Sequence, residues 1–191
     1  MSSSPARFSS TFLKAARRVS MVLAMAMVAL PTGAVMVQAQ DAPAVAAADP
    51  AAVERGLKVW KGQDCTGCHG WAGNGERIGE NPTGPSLRAL TLDATTIREI
   101  ILCGRPGSEM PYHDMRAYTD DRCYGLVKAD IEGERLLKGK PMTSEEADDI
   151  VAYMMNSMVG RPDEANQDDC RAYYGGKPFC ANYPTAASQG L

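Results

Sequence analysis

Cys65, Cys68 and His69 stand in the run Cys65-Thr66-Gly67-Cys68-His69, two thiols one turn apart with an imidazole directly after the second. Three chemistries use such a pair. A zinc site needs two further thiolate or imidazole ligands at a recognisable spacing, and the only other histidine is His113. A thiol exchange site opens a helix in a βαβ setting, which the surrounding glycines do not suggest. The third chemistry is addition of both thiols across the vinyl groups of a haem, with the following histidine brought under the iron by the same turn. It alone gives His69 a reason to be where it is. The run therefore reads as a c-type haem attachment site, with Cys65 and Cys68 as covalent anchors and His69 as an iron ligand.

Such a site needs a scaffold, and the chain predicts three helices. Asp49-Pro50 is an N-cap followed by proline at the first helical position, opening a helix through Val53, Leu57 and Trp60 toward the cysteines. A second begins near Asp93, carries Ile97, Ile100 and Ile101 on one face, and stops at Gly104-Arg105-Pro106-Gly107. The third opens with the capping box Thr143-Ser144-Glu145-Glu146, carries Ile150, Val151, Tyr153 and Met154, and ends at Gly160-Arg161-Pro162. No stretch alternates well enough to predict a strand, so the fold class is all-α.

The N-terminus reads as an export signal. Arg7, Lys14, Arg17 and Arg18 precede the apolar run Met21 to Leu30, Pro31 and Gly33 break it, and Val37-Gln38-Ala39 offers small residues for cleavage after Ala39. The alternative is a retained anchor over Val19 to Val37, and only then would the protein touch a membrane. Either way the globular part is expected outside the cytoplasm, in the periplasm, where disulfides persist. The chain has 20 basic and 23 acidic residues; without the four cations before Gln40, 16 face 23, a balance of −7. That excludes nucleic acid as a partner and favours steering toward a basic surface.

From residue 50 to about 160 the chain resembles the class I c-type cytochromes. In that family the first and last helices cross closely, a glycine and an aromatic of one meeting an aromatic of the other, and Gly56, Trp60 and Tyr153 fit those places. The segment Gly84-Pro85-Ser86-Leu87 resembles the stretch beside the ligand histidine. The resemblance implies that the Pro85 carbonyl accepts a hydrogen bond from Nδ1 of His69, leaving Nε2 for iron, and that Leu87 packs on the haem. It also implies Met110, in Gly107-Ser108-Glu109-Met110-Pro111, as the sixth ligand, since it follows the second helix 41 residues after His69. Met115 and Met142 are rivals, and His113 would give a bis-histidine haem of lower potential.

Two additions set the chain apart from a minimal cytochrome of that class. Tyr112 to Pro141 is inserted between Met110 and the last helix, and Cys103 and Cys123 bracket the Met110 loop. A tail after Gly160 holds Cys170 and Cys180 among Tyr173, Tyr174, Phe179 and Tyr183. A local Cys170 to Cys180 staple is the simplest pairing, although four cysteines allow three connectivities. The tail reads either as a flap over hydrophobic surface or as a docking lip for a partner. The expected organisation is a signal peptide at 1–39, a flexible leader at 40–48, a one-haem cytochrome domain at 49–161 and a C-terminal extension at 162–191.

The phrase Met110-Pro111-Tyr112-His113-Asp114, with Ala117-Tyr118-Thr119-Asp120-Asp121-Arg122-Cys123-Tyr124-Gly125, resembles periplasmic cytochromes associated with PQQ-dependent methanol and other alcohol dehydrogenases. That resemblance implies an electron carrier rather than an enzyme, reduced by such a dehydrogenase and oxidised by a further cytochrome or terminal oxidase. Service to another periplasmic dehydrogenase or oxidase is the nearest alternative. A peroxidase-like enzyme or a ligand-binding sensor would need an open iron position. Asp114, Asp120 and Asp121 lack calcium-loop spacing and read as a solvated acidic loop.

Overall fold

The computed structural model describes residues 48–190, so the expected signal and most of the leader lie outside the described residues. Five α-helices follow in order: α1 Pro50–Gly62, α2 Cys65–His69, α3 Ala94–Cys103, α4 Ser144–Ser157 and α5 Gln167–Tyr174. Among the described residues there are no strands beyond two isolated bridges, an architecture that fits a cytochrome c fold. No helix among them is long and apolar enough to cross a membrane.

The caps explain the boundaries. Asp49 accepts from the Ala51 N–H at the start of α1, and Asp93 from the Thr96 N–H at the start of α3. Thr143 and Glu146 exchange hydrogen bonds at the start of α4, the reciprocal arrangement that satisfies two otherwise orphaned donors. The three long helices thus begin at the capping residues read from the sequence.

The core lies where α1, α3 and α4 meet. Trp60, Ile97, Ile101, Ala147, Ile150, Val151, Tyr153 and Met154 are buried together there. Helix α1 crosses α4 so closely that a Cβ on Gly56 would lie 2.0 Å from the Asp149 carbonyl oxygen and 2.7 Å from Tyr153 Cβ. Only glycine allows that approach. Arg55 clamps the crossing from outside with two hydrogen bonds of 2.7 Å to Asp149.

The insertion after Met110 forms a second buried cluster of Cys103, Tyr118, Cys123 and Ile131. Cys103 and Cys123 are disulfide-bonded, closing a separation of 20 residues around the Met110 loop. The Tyr118 and Tyr124 hydroxyls donate to the Cys103 and Gly104 carbonyls, at 2.9 and 2.7 Å. Asp114 and Asp120 both face Arg122, whose guanidinium holds the Asp120 carboxyl down at about 2. Among the described residues no group of acidic, histidine or cysteine side chains is arranged to hold a metal ion.

Replacing Cys103 and Cys123 together by alanine is expected to cost about 3 kcal/mol by releasing the unfolded chain. Denaturant unfolding of the two proteins checks this, and an unchanged midpoint would contradict it.

The extension is fixed by its own disulfide, Cys170–Cys180, and by aromatic packing. Trp71 meets Tyr173, Tyr174 and Tyr183 with ring centroids 5.8, 5.4 and 5.3 Å apart. The Tyr173 hydroxyl lies 3.1 Å from Thr66 Oγ1, inside the Cys65–His69 turn. The tail therefore covers Trp71, on the outer side of the segment that carries the paired cysteines.

Candidate functional site

A cavity of about 550 Å³ opens between α1, α3, α4 and the loops that join them. Cys65, Cys68 and His69 line one part of it, with Pro85 and Leu87, and Met110, Pro111 and His113 line it too. The rest of the wall is largely apolar, from Trp60, Ile97, Ile101, Ile150 and Met154. The structure thus brings Cys65, Cys68, His69, Pro85, Leu87 and Met110 to one cavity.

Local geometry places the first group. Residues Cys65–His69 form one helical turn entered through Asp64 at φ 63°. Cys65 and Cys68 carry unpaired thiols. Burial pushes the Cys65 thiol up to about 12, and burial raises Cys68 as well. A thiol built for exchange is held low instead, so that the thiolate is present at neutral pH. Neither cysteine is held low in the way that exchange requires.

His69 is buried, and its Nδ1 lies 3.0 Å from the Pro85 carbonyl oxygen. A carbonyl only accepts, so Nδ1 carries the proton and Nε2 keeps its lone pair. Burial pushes the imidazole below its ordinary range, against the bond to Pro85, which acts the other way. The neutral ring is the form that ligates a metal.

Gly84 makes room for this ring. A Cβ there would stand 2.6 Å from His69 Nδ1 and 2.7 Å from Cε1. Gly84→Ala is therefore expected to push the imidazole off the Pro85 carbonyl. That bond would increase the donor strength of Nε2 toward a haem iron, so its loss is expected to raise the reduction potential of a haem ligated there. A redox titration showing no shift would contradict the assignment.

Met110 belongs to a loop anchored from both sides. His113 N–H and Asp114 N–H donate to the Leu102 carbonyl at the end of α3, and Tyr112 N–H donates to Leu137 on the other side, each at 2.9 Å. Of the rival methionines, Met115 is exposed and Met142 is packed in the core, and neither lines the cavity. His113 does line it.

Haem c can be tested against this cavity through its buried polar atoms. Trp60 Nε1 and Gln63 Oε1 are the buried side-chain polar atoms without a partner among the described residues, and both residues line the cavity. Buried polar groups are ordinarily satisfied, so two orphans at one wall point to a bound group with polar atoms of its own. With paired thiols, a neutral imidazole, a thioether and a mainly apolar wall, the residues present fit haem c.

Two side chains that matter here escaped the sequence reading. Trp71, two residues after His69, anchors the extension, and the four tail aromatics with nothing assigned to cover were the available signal. Arg88, only 1% exposed, joins the Ala72 and Pro162 carbonyls and Asp169. Nothing in its sequence neighbourhood marks it out.

A family model described as Cytochrome c matches residues 53–157, a span running from α1 to the end of α4 that contains Cys65, Cys68, His69 and Met110. Neither a curated protein nor a solved structure matches the chain.

Proposed function

The chain belongs to the cytochrome c family, and from that premise we propose that it is a class I, single-haem electron carrier of the periplasm. It takes electrons one at a time from a PQQ-dependent alcohol dehydrogenase of the methanol type and passes them to a further cytochrome or a terminal oxidase. The observation that carries the reading is the single cavity lined by the Cys65–His69 turn and by Met110. When bound, haem c supplies a one-electron iron couple.

The chain's own residues do the rest. Cys65 and Cys68 anchor the group covalently, and the Pro85 carbonyl holds His69 in the tautomer that presents Nε2. Met110 would offer the iron a thioether, a soft donor that favours the reduced state. Leu87, Ile97, Ile101 and Ile150 keep water away and favour the less charged site. The Cys103–Cys123 bridge and the Leu102 and Leu137 carbonyls hold the loop that carries Met110.

Export is supported by the N-terminal cations with their following apolar run and by the two disulfides. The partner class rests on the resemblance of the Met110–Gly125 phrase and on the −7 balance, which suits a basic docking surface.

Rapid mixing of the oxidised protein with reduced candidate dehydrogenases tests the function. Haem reduction is expected with two carriers consumed per reduced quinone, at a rate that falls as salt is added. Failure of every PQQ-dependent dehydrogenase, alongside fast reduction by a different periplasmic enzyme, would overturn the partner assignment.

A further inference from the structure

We propose that the seam between the segment after His69 and the C-terminal extension is a binding site for a small alkylammonium ion, which rests its hydrocarbon part on Trp71 and Tyr183 and its charged head among the carboxylates of Glu76, Asp163 and Glu164.

The seam is a second cavity, and it shares no lining residue with the one that holds Cys65, Cys68 and His69. Its volume is about 450 Å³, in the range that takes a whole small molecule. One wall comes from Trp71 to Glu76, just after His69, and the other from residues 163–165 and 182–184 of the extension.

The lining carries three carboxylates and no basic side chain. Asp149, Asp148 and Asp120 each face an arginine. Among the described residues Glu76, Asp163 and Glu164 form no ion pair. A concavity of one sign with low-dielectric walls concentrates counter-ions, so the charge that is missing is a cation.

The rest of the wall says which kind. No group of acidic side chains among the described residues is arranged to hold a metal ion, so these carboxylates do not converge on one point. A bare ion would also leave the two rings without a partner. Trp71 and Tyr183 stand with centroids 5.3 Å apart and planes at 76°, an aromatic corner, and the faces of such rings attract ammonium groups. Aromatic walls beside carboxylate acceptors call for a head that donates hydrogen bonds and a short hydrocarbon body.

The seat is formed in advance. Ser86 Oγ donates to Asp163 at 2.7 Å, and Gln189 Nε2 and Gln167 Nε2 donate to the Glu164 and Tyr183 carbonyls, each at 3.0 Å. With the Cys170–Cys180 bridge, these bonds order the wall before a ligand arrives, which lowers the cost of binding. An occupied seam would tie the extension to the segment that carries His69, because the ligand touches both.

The test titrates butylammonium chloride into the full haem-loaded protein and follows the indole N–H signals by nuclear magnetic resonance. The chain has two tryptophans, and Trp71→Phe identifies the Trp71 signal by removing it. A saturable shift of that signal is expected, with Trp60 unmoved, and neither butan-1-ol nor sodium chloride at the same concentration should reproduce it. Glu76→Gln/Glu164→Gln changes two exposed positions and is expected to weaken binding about tenfold. Glu132→Gln/Glu134→Gln removes the same charge from the Met110 insertion and should leave binding unchanged.

A shift that does not saturate overturns the proposal. So does an equal shift from butan-1-ol, which would make the seam an apolar cleft, and so does equal weakening in the two charge variants, which would reduce the effect to net charge. The haem reading stands apart from every one of these outcomes, since the two cavities have no residue in common.

Discussion

Arg88→Ala is expected to destabilise the haem-loaded protein by about 3 to 5 kcal/mol and to release the C-terminal extension from the haem-binding segment. The Arg88 side chain is fully buried and its partner Asp169 is nearly so. One guanidinium donates to the Ala72 carbonyl at 3.1 Å, to the Pro162 carbonyl, and to Asp169 Oδ2 at 2.8 Å. It thereby ties three stretches together: the turn just after His69, the exit from α4, and the first turn of α5. Removing it leaves a buried carboxylate with Arg161 at 3.7 Å as its remaining cation, and two carbonyls without their donor.

Arg88→Lys is the informative companion. It restores the charge but not the planar fork, so it is expected to recover only part of the loss. Denaturant unfolding gives the energy, and proteolysis near residues 163–166 reports whether the extension lifts. A loss below about 1 kcal/mol would mean that the strut is dispensable.

Gly56→Ala follows the opposite logic, because intrinsic propensity favours it. Alanine in place of a helical glycine gains about 1 kcal/mol when nothing is in the way. Here the added carbon would sit 2.0 Å from the Asp149 oxygen and 2.6 Å from its carbonyl carbon. Backbone cannot swing aside as a side chain can, so α1 and α4 must separate and the packing of Trp60 against Tyr153 opens. The steric cost exceeds the propensity gain, and a net loss of about 2 kcal/mol or more is expected.

Gly62→Ala is the control in the same helix, where a Cβ meets nothing within 4 Å. It should be neutral or slightly stabilising. Thermal melts of the two variants should therefore move apart, and parallel shifts would contradict the close crossing.

The helices were legible because their signals are local. Asp49-Pro50, Asp93 and the Thr143-to-Glu146 capping box write their own boundaries, and the apolar residues of α3 and α4 recur at helical spacing. The paired cysteines with His69 were legible because one covalent chemistry needs that order of residues. Gly56 and Tyr153 could be paired only through family resemblance, since 97 positions separate them in the sequence.

What was not legible depends on tertiary placement. An arginine reads as surface until its three acceptors are brought around it, and Arg88 draws them from residues 72, 162 and 169. Helix α5 is a short, largely polar segment that buries only Cys170. It holds its place through Asn166, which caps it by accepting from the Asp168 and Asp169 N–H groups, through the Cys170–Cys180 bridge, and through Trp71. Met110 was singled out among the methionines only through family resemblance, and that it borders the cavity while Met115 and Met142 do not depends on tertiary placement.

The central claim is that Cys65, Cys68, His69 and Met110 together make a closed, one-haem redox site. The most direct measurement is the optical spectrum of the wild-type protein after export, oxidised and reduced, with haem and protein quantified together. One covalent haem per chain, a weak methionine-to-iron band near the red end of the oxidised spectrum, and a reduced form indifferent to carbon monoxide are the expected result. Thiols free on Cys65 and Cys68 with no haem attached, or a reduced form that takes up carbon monoxide, would contradict it.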